Sequence, residues 1–193
     1  MADVGAGLGV GAAMREDPDV ILVGELRDAE TIRMAMTAAE TGHLVLGTLH
    51  TTGAVKTIDR VIDALPVEER EQTKSFLAQS LLAVVTQVLV KTADSHGRRA
   101  VCEILMMTKA IAKLIQTEQS HQIPSQLQMG RDLGMQLLDQ ALMAAITTRQ
   151  VDPDDAYNYA TEKRNFQKYV TDTSMLPKMD SAPPAPASGP SAA

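Results

Sequence analysis

An α/β fold is predicted by three features of this 193-residue chain: two short runs of branched apolar residues, an amphipathic segment between them, and short loops joining all three. Strand, helix and strand in close succession imply a right-handed parallel crossover, which lays a helix over a parallel sheet. The length suits one domain, and apolar residues at 45% suffice for an ordinary core.

The first run is Val20-Ile21-Leu22-Val23, entered from the turn Asp17-Pro18-Asp19. Four branched apolar residues between turn signals read as a strand buried on both faces. Gly24-Glu25-Leu26-Arg27-Asp28 ends it, and Asp28 is placed to N-cap a helix over 29–41. Ile32, Ala35, Met36 and Ala39 share one face of that helix. Gly42 can end it in the left-handed conformation. Leu44-Val45-Leu46-Gly47-Thr48 is the second strand. Helices follow over 53–65, stopped by Pro66, and over 68–83, where an acidic first turn suits the helix dipole. Residues 84–91 and 99–107 read as antiparallel strands joined through Ser95-His96-Gly97. From Lys109 onward the pattern is helical, with an apolar stripe of Met135, Leu138, Leu142 and Ala145 and a short helical end over 153–169. Residues 1–13, with alternating glycine and no periodicity, read as unstructured, and the Ser/Ala/Pro-rich 177–193 read as a disordered tail.

Composition excludes several functions. A net charge of −6 speaks against nonspecific nucleic-acid binding, and the single Cys102 against a disulfide framework. No run approaches the ~18–20 uncharged apolar residues needed to span a bilayer. No lysine precedes Lys56, so Gly5, Gly7, Gly9 and Gly11 do not form a phosphate-binding Gly-x-x-x-x-Gly-Lys-Ser/Thr loop. No predicted strand precedes them either, which disfavours a dinucleotide site.

Residues with chemical potential gather after the two strands. Ligands of parallel sheets bind at the carboxyl ends of strands, so Glu25 sits where it could orient or deprotonate a water, or reach Mg²⁺ through water. A solvated loop acid is the plain alternative. His50, with Thr48, Thr51 and Thr52, lies just past the second strand on the same edge, either beside Glu25 or capping the next helix. Arg27 and Asp28 can be an ion pair and helix cap, or Arg27 can reach a phosphate across a subunit boundary. His43 and His50 point to opposite faces along a strand, and nothing has direct metal-ligand spacing. His96 and His121 read as surface histidines, Cys102 and the methionines of 129–143 as packing, and Tyr157, Tyr159, Phe166 and Tyr169 as anchors of the terminal helices.

The strings themselves are more specific. Residues 15–28 (REDPDVILVGELRD) resemble the Walker B segment of the secretion ATPases of type II secretion and type IV pili, and residues 37–51 (TAAETGHLVLGTLHT) resemble their His box. Gly130 to Leu142, with Gly134-Met135-Gln136 and Leu138-Asp139-Gln140-Ala141-Leu142, further resembles the retraction branch, the PilT-type twitching-motility ATPases. The resemblance covers about residues 14–170.

The resemblance implies the C-terminal part of a RecA-like P-loop NTPase core over 14–108, followed by a helical C-terminal region over 109–176. It implies a cytoplasmic hexamer that hydrolyses ATP with Mg²⁺, peripheral to the inner membrane through the pilus platform protein. By position, Glu25 would be the catalytic glutamate; His50 and His43, with Thr48 and Thr51, would sense the terminal phosphate or couple it to the neighbouring subunit; and Gly24, Arg27 and Asp28 would complete the Walker B neighbourhood. The family's PAS-like domain, Walker A loop and aspartate box are expected ahead of these residues, so the chain alone is expected to be inactive. The retraction-branch stretch Ala-Ile-Arg-Asn-Leu-Ile-Arg-Glu stands here as residues 110–117 (AIAKLIQT), with both arginines replaced. Two rival readings are a truncated subunit that modulates full-length rings and a type II secretion or pilus-assembly ATPase. The lone cysteine disfavours the latter, which usually carries a four-cysteine zinc insert.

Overall fold

The computed structural model describes residues 2–4 and 18–176. Val20–Val23 form β2 and Leu44–Gly47 form β3, paired in parallel with Ile21 opposite Val45 and Val23 opposite Gly47. Between them runs α1, Ala29–Glu40. Asp28 caps it by accepting a hydrogen bond from the Thr31 amide at 2.8 Å, which holds the Asp28 carboxyl below its usual range. Gly42, at φ +99°, turns the chain from the helix into β3. Ile21 and Val23 are wholly buried against Ala35 and Ala38 of α1, with Val45 alongside.

Two expectations fail here. Val20 and Leu22 are only half-buried, and Leu44 and Leu46 on the same sheet face are 43% and 47% exposed. The sheet is thus covered on the α1 face alone among the described residues, and the branched run is not buried on both faces. In addition, Ala2–Val4 form a strand, β1, whose backbone pairs in parallel with Ile21–Val23. This contradicts the unstructured reading of 1–13 at those three residues. The open edge of β2 accepts any extended backbone, and three residues carry no readable periodicity. The remainder of 1–13 and the predicted tail 177–193 lie outside the described residues.

Further on come α2 (Ala54–Asp63), α3 (Arg70–Ser80, after a 3₁₀ turn at Val67–Glu69), and the antiparallel pair β4 (Ala83–Lys91) and β5 (Arg98–Met106). Burial alternates strictly along β4, with Val84, Thr86, Val88 and Val90 facing inward. The near end of this inward face, at Val84 and Leu105, packs into a cluster built on α2, α3, α4 (Lys109–Gln116) and α5 (Ile123–Met129). The far end, at Val88, Val90 and Val101, packs on α6 (Leu138–Thr147), α7 (Pro153–Tyr159) and Phe166 of α8 (Lys163–Phe166). Cores either side of one hairpin therefore join the α/β part to the helical part. The free edge of β5 is covered by residue 136: Ile104 and Gln136 exchange backbone hydrogen bonds at 2.8 and 2.9 Å, and the Gln136 side chain donates to the Cys102 carbonyl at 2.7 Å.

Leu142 is fully buried in the second core, so Leu142→Ala is expected to cost about 2–5 kcal/mol in chemical denaturation. Val85→Thr, on the outer face of β4 at 64% exposure, is expected to change stability by less than about 0.5 kcal/mol.

Candidate active site

The parallel register brings the carboxyl ends of β2 and β3 side by side, and the loops that leave them are stitched together. The Leu26 amide donates to the Thr48 carbonyl at 2.9 Å, and the Thr48 hydroxyl donates to the Gly24 carbonyl. Glu25 and His50 consequently meet, with Glu25 Oε1 3.6 Å from His50 Nε2. That separation is an electrostatic contact rather than a hydrogen bond. The other carboxylate oxygen, Oε2, accepts from Arg27 Nε. Arg27 thus pairs with Glu25, not with Asp28, which is occupied as the helix cap.

The Glu25 side chain is 24% exposed, while Arg27 and His50 are 72% and 87% exposed. A half-shielded carboxylate is flanked by two solvent-facing cationic or polar groups, which suits work on an anionic ligand arriving from solvent. Next to it a cleft of about 670 Å³ is lined by Arg27, His50, Lys56 and Arg60 together with three acids, Asp28, Asp59 and Asp63. Lys56 and Arg60 stand one turn apart on α2 and present positive charge to the cleft. Sequence reasoning passed over both, although their i, i+4 spacing in a predicted helix placed them on one face.

The remaining candidates are distributed differently. Thr51 shares a hydrogen bond of 2.7 Å with the Thr57 hydroxyl, which anchors the end of the His50 loop to α2. His43 stands at the opposite end of β3, where its Nδ1 lies 2.9 Å from the Ala38 carbonyl and 3.0 Å from the Thr41 hydroxyl. It belongs to the C-terminal cap of α1 and is not brought to Glu25. Among the described residues, no group of three or more His, Cys, Asp or Glu side chains is arranged to hold a metal ion directly.

The chain has relatives among known proteins. The family model described as "Type II/IV secretion system protein" matches residues 2–165, so the match begins ahead of the expected position 14. The chain is 52% identical over 155 residues to a twitching motility protein of Neisseria gonorrhoeae, covering 80% of this chain and 41% of that one. It is 50% identical over 155 residues to the type IV pilus retraction ATPase PilT of Pseudomonas aeruginosa, covering 80% and 45%. Among solved structures it resembles the pilus retraction motor PilT with bound ADP, at a TM-score of 0.74 and 37% identity over 82% of this chain and 44% of that one. The chain thus spans less than half the length of these relatives.

Of the acids that line the cleft, Asp28 is held below its usual range as a helix cap, and Asp59 is shifted the other way. Burial pushes the Asp59 carboxyl above its ordinary value of 3.8, against an opposing hydrogen bond from Ser120. A raised folded-state value means the protonated acid is favoured by folding, and that this stabilisation is lost as pH rises through it. Asp59→Asn should therefore raise the melting temperature at pH 7, and the difference should close as the pH falls well below 3.8; melting curves of the two proteins across pH check this.

Proposed function

The chain belongs to the type II/IV secretion system protein family, and on that premise we propose that it carries the water-activating side of an ATP-hydrolysing motor for type IV pilus retraction. The observation that carries this reading is the meeting of Glu25 and His50 at the carboxyl edge of two parallel strands, where His50 and Arg27 also line a cleft that Lys56 and Arg60 face. Phosphoryl transfer needs mainly positioning and neutralisation of charge on the phosphate oxygens, and these are the groups available for it.

In this reading the Glu25 carboxylate takes the proton of the attacking water, through Oε1, the oxygen on the His50 side. Arg27, mostly exposed, can leave the carboxylate for a phosphate oxygen, which makes Glu25 the stronger base when the nucleotide is in place. His50 faces the same point and reports the terminal phosphate to the loop that ends at Thr51. Mg²⁺ would come with the nucleotide on its phosphate oxygens and meet Glu25 through water. Arg27, Lys56 and Arg60 are the side chains of the cleft available to such an anion, while Asp28 is engaged as a helix cap and Asp63 is paired with Arg70. The 193 residues contain no Gly-x-x-x-x-Gly-Lys-Ser/Thr sequence, so in this reading the cradle for the β- and γ-phosphates comes from polypeptide other than these residues. Hexamer formation and docking on an inner-membrane platform protein follow from the same family reading. Among the described residues no helix is long and apolar enough to cross a membrane.

Joined to the preceding segment of a retraction ATPase, Glu25→Gln should reduce ATP turnover by about 10²-fold or more, since the amide keeps the shape but cannot take a proton. Nucleotide affinity, measured by equilibrium binding, should stay within about twofold. Normal turnover by the Gln variant would remove Glu25 from the chemistry.

A further inference from the structure

Neither α2 nor α6 brings its own N-terminal cap. The residue before α2 is Gly53, at φ +127°, and the residue before α6 is Leu137, so neither side chain has an oxygen to accept from the first-turn amides. Both helices are capped from outside by one side chain. Glu103, in the middle of β5, accepts from the Ala54 amide through Oε1 at 2.7 Å and from the Leu138 amide through Oε2 at 3.2 Å. Ala54 is fully buried and Leu138 nearly so, which leaves little water to replace either bond. A carboxylate also suits two helix N-termini electrostatically.

The two helices lead to different parts of the molecule. Ala54 follows directly on the loop that carries His50, Thr51 and Thr52. Leu138 opens α6, which packs in the second apolar cluster, and the next residue, Asp139, accepts from the Thr161 and Glu162 amides at 2.8 Å each. We propose that Glu103 is a positioning residue that ties the His50 loop to the C-terminal helical region, so that movement at the start of α6 is felt at Ala54. The proposal rests on the reading of the Glu25–His50 edge as the nucleotide-facing site, but its test needs no nucleotide. A failed coupling would therefore leave that reading intact, and an inactive site would leave the coupling intact.

The test is residue-resolved amide hydrogen exchange on the 193-residue chain. Glu103→Gln keeps one acceptor oxygen and turns the other end into a donor facing an N–H, so at least one bond is lost. Exchange at Ala54 or Leu138 should rise about tenfold. The decisive variant is Gln140→Ala. The Gln140 side chain accepts from the Leu137 amide at 3.5 Å, and its removal acts at the start of α6 while leaving both Glu103 bonds their partners. Coupling predicts that Gln140→Ala also speeds exchange at Ala54 and moves the His50 ring resonances. It predicts further that Gln140→Ala adds nothing at Ala54 once Glu103→Gln is present. Equal increments in both backgrounds, or no change at Ala54 in the Gln140→Ala protein, would overturn the proposal. Should the Glu103→Gln protein fail to fold, the response of Ala54 and His50 to Gln140→Ala alone still decides.

Discussion

The parallel pairing of β2 with β3 is the constraint on which the functional edge depends. It spans only four residues a strand, yet a parallel register places both carboxyl ends on one side. A one-residue slip would reverse which side chains face α1 and expose Ile21 and Val23, both wholly buried. Burial therefore holds the register, the register brings Gly24 beside Thr48, and the cross-loop hydrogen bonds of Leu26 and Thr48 carry the alignment past the strand ends to Glu25 and His50. The two side chains need no direct hydrogen bond to be placed together, because their backbones are.

A second constraint works at the far end of the His50 loop. Its start is pinned to β2 and its end to α2 through Thr51 and Thr57, while α2 itself begins at a carboxylate of β5. The antiparallel hairpin thus serves both halves: its inward face joins the two apolar clusters, and Glu103 on it caps one helix from each. On the proposed motor reading, a loop clamped at both ends and a hairpin shared by both halves give local events a mechanical route outward. The exposed bidentate pair of Arg33 with Glu69 adds a further strut between α1 and the turn before α3, of the modest strength that solvent-exposed pairs have.

Much of this was legible in the residues because the signals were local. Branched apolar runs marked β2 and β3, Asp28 marked the start of α1, Gly42 its end, and the long strings around Glu25 and His50 marked the family. What stayed hidden depended on distant partners or on backbone alone. β1 has three residues and no side-chain pattern, so only the free edge of β2 explains it. Glu103 sits in an apolar strand, and its partners lie 49 and 35 positions away. The clue was indirect, in that glycine and leucine are poor acceptors at the positions before two helices. His43 lies in the same recognisable string but at the opposite end of its strand from His50, against the helix behind it, a placement that the string alone does not reveal.

On the proposed reading, Glu25 and His50 act as one unit on one phosphate. The most direct measurement is a double-mutant cycle on turnover in an assembly that hydrolyses ATP, with Glu25→Gln and His50→Asn made singly and together. Groups acting as a unit give strongly non-additive losses, so the double variant should be about as slow as the slower single variant. Losses that simply multiply would contradict the claim and return the two side chains to independent roles.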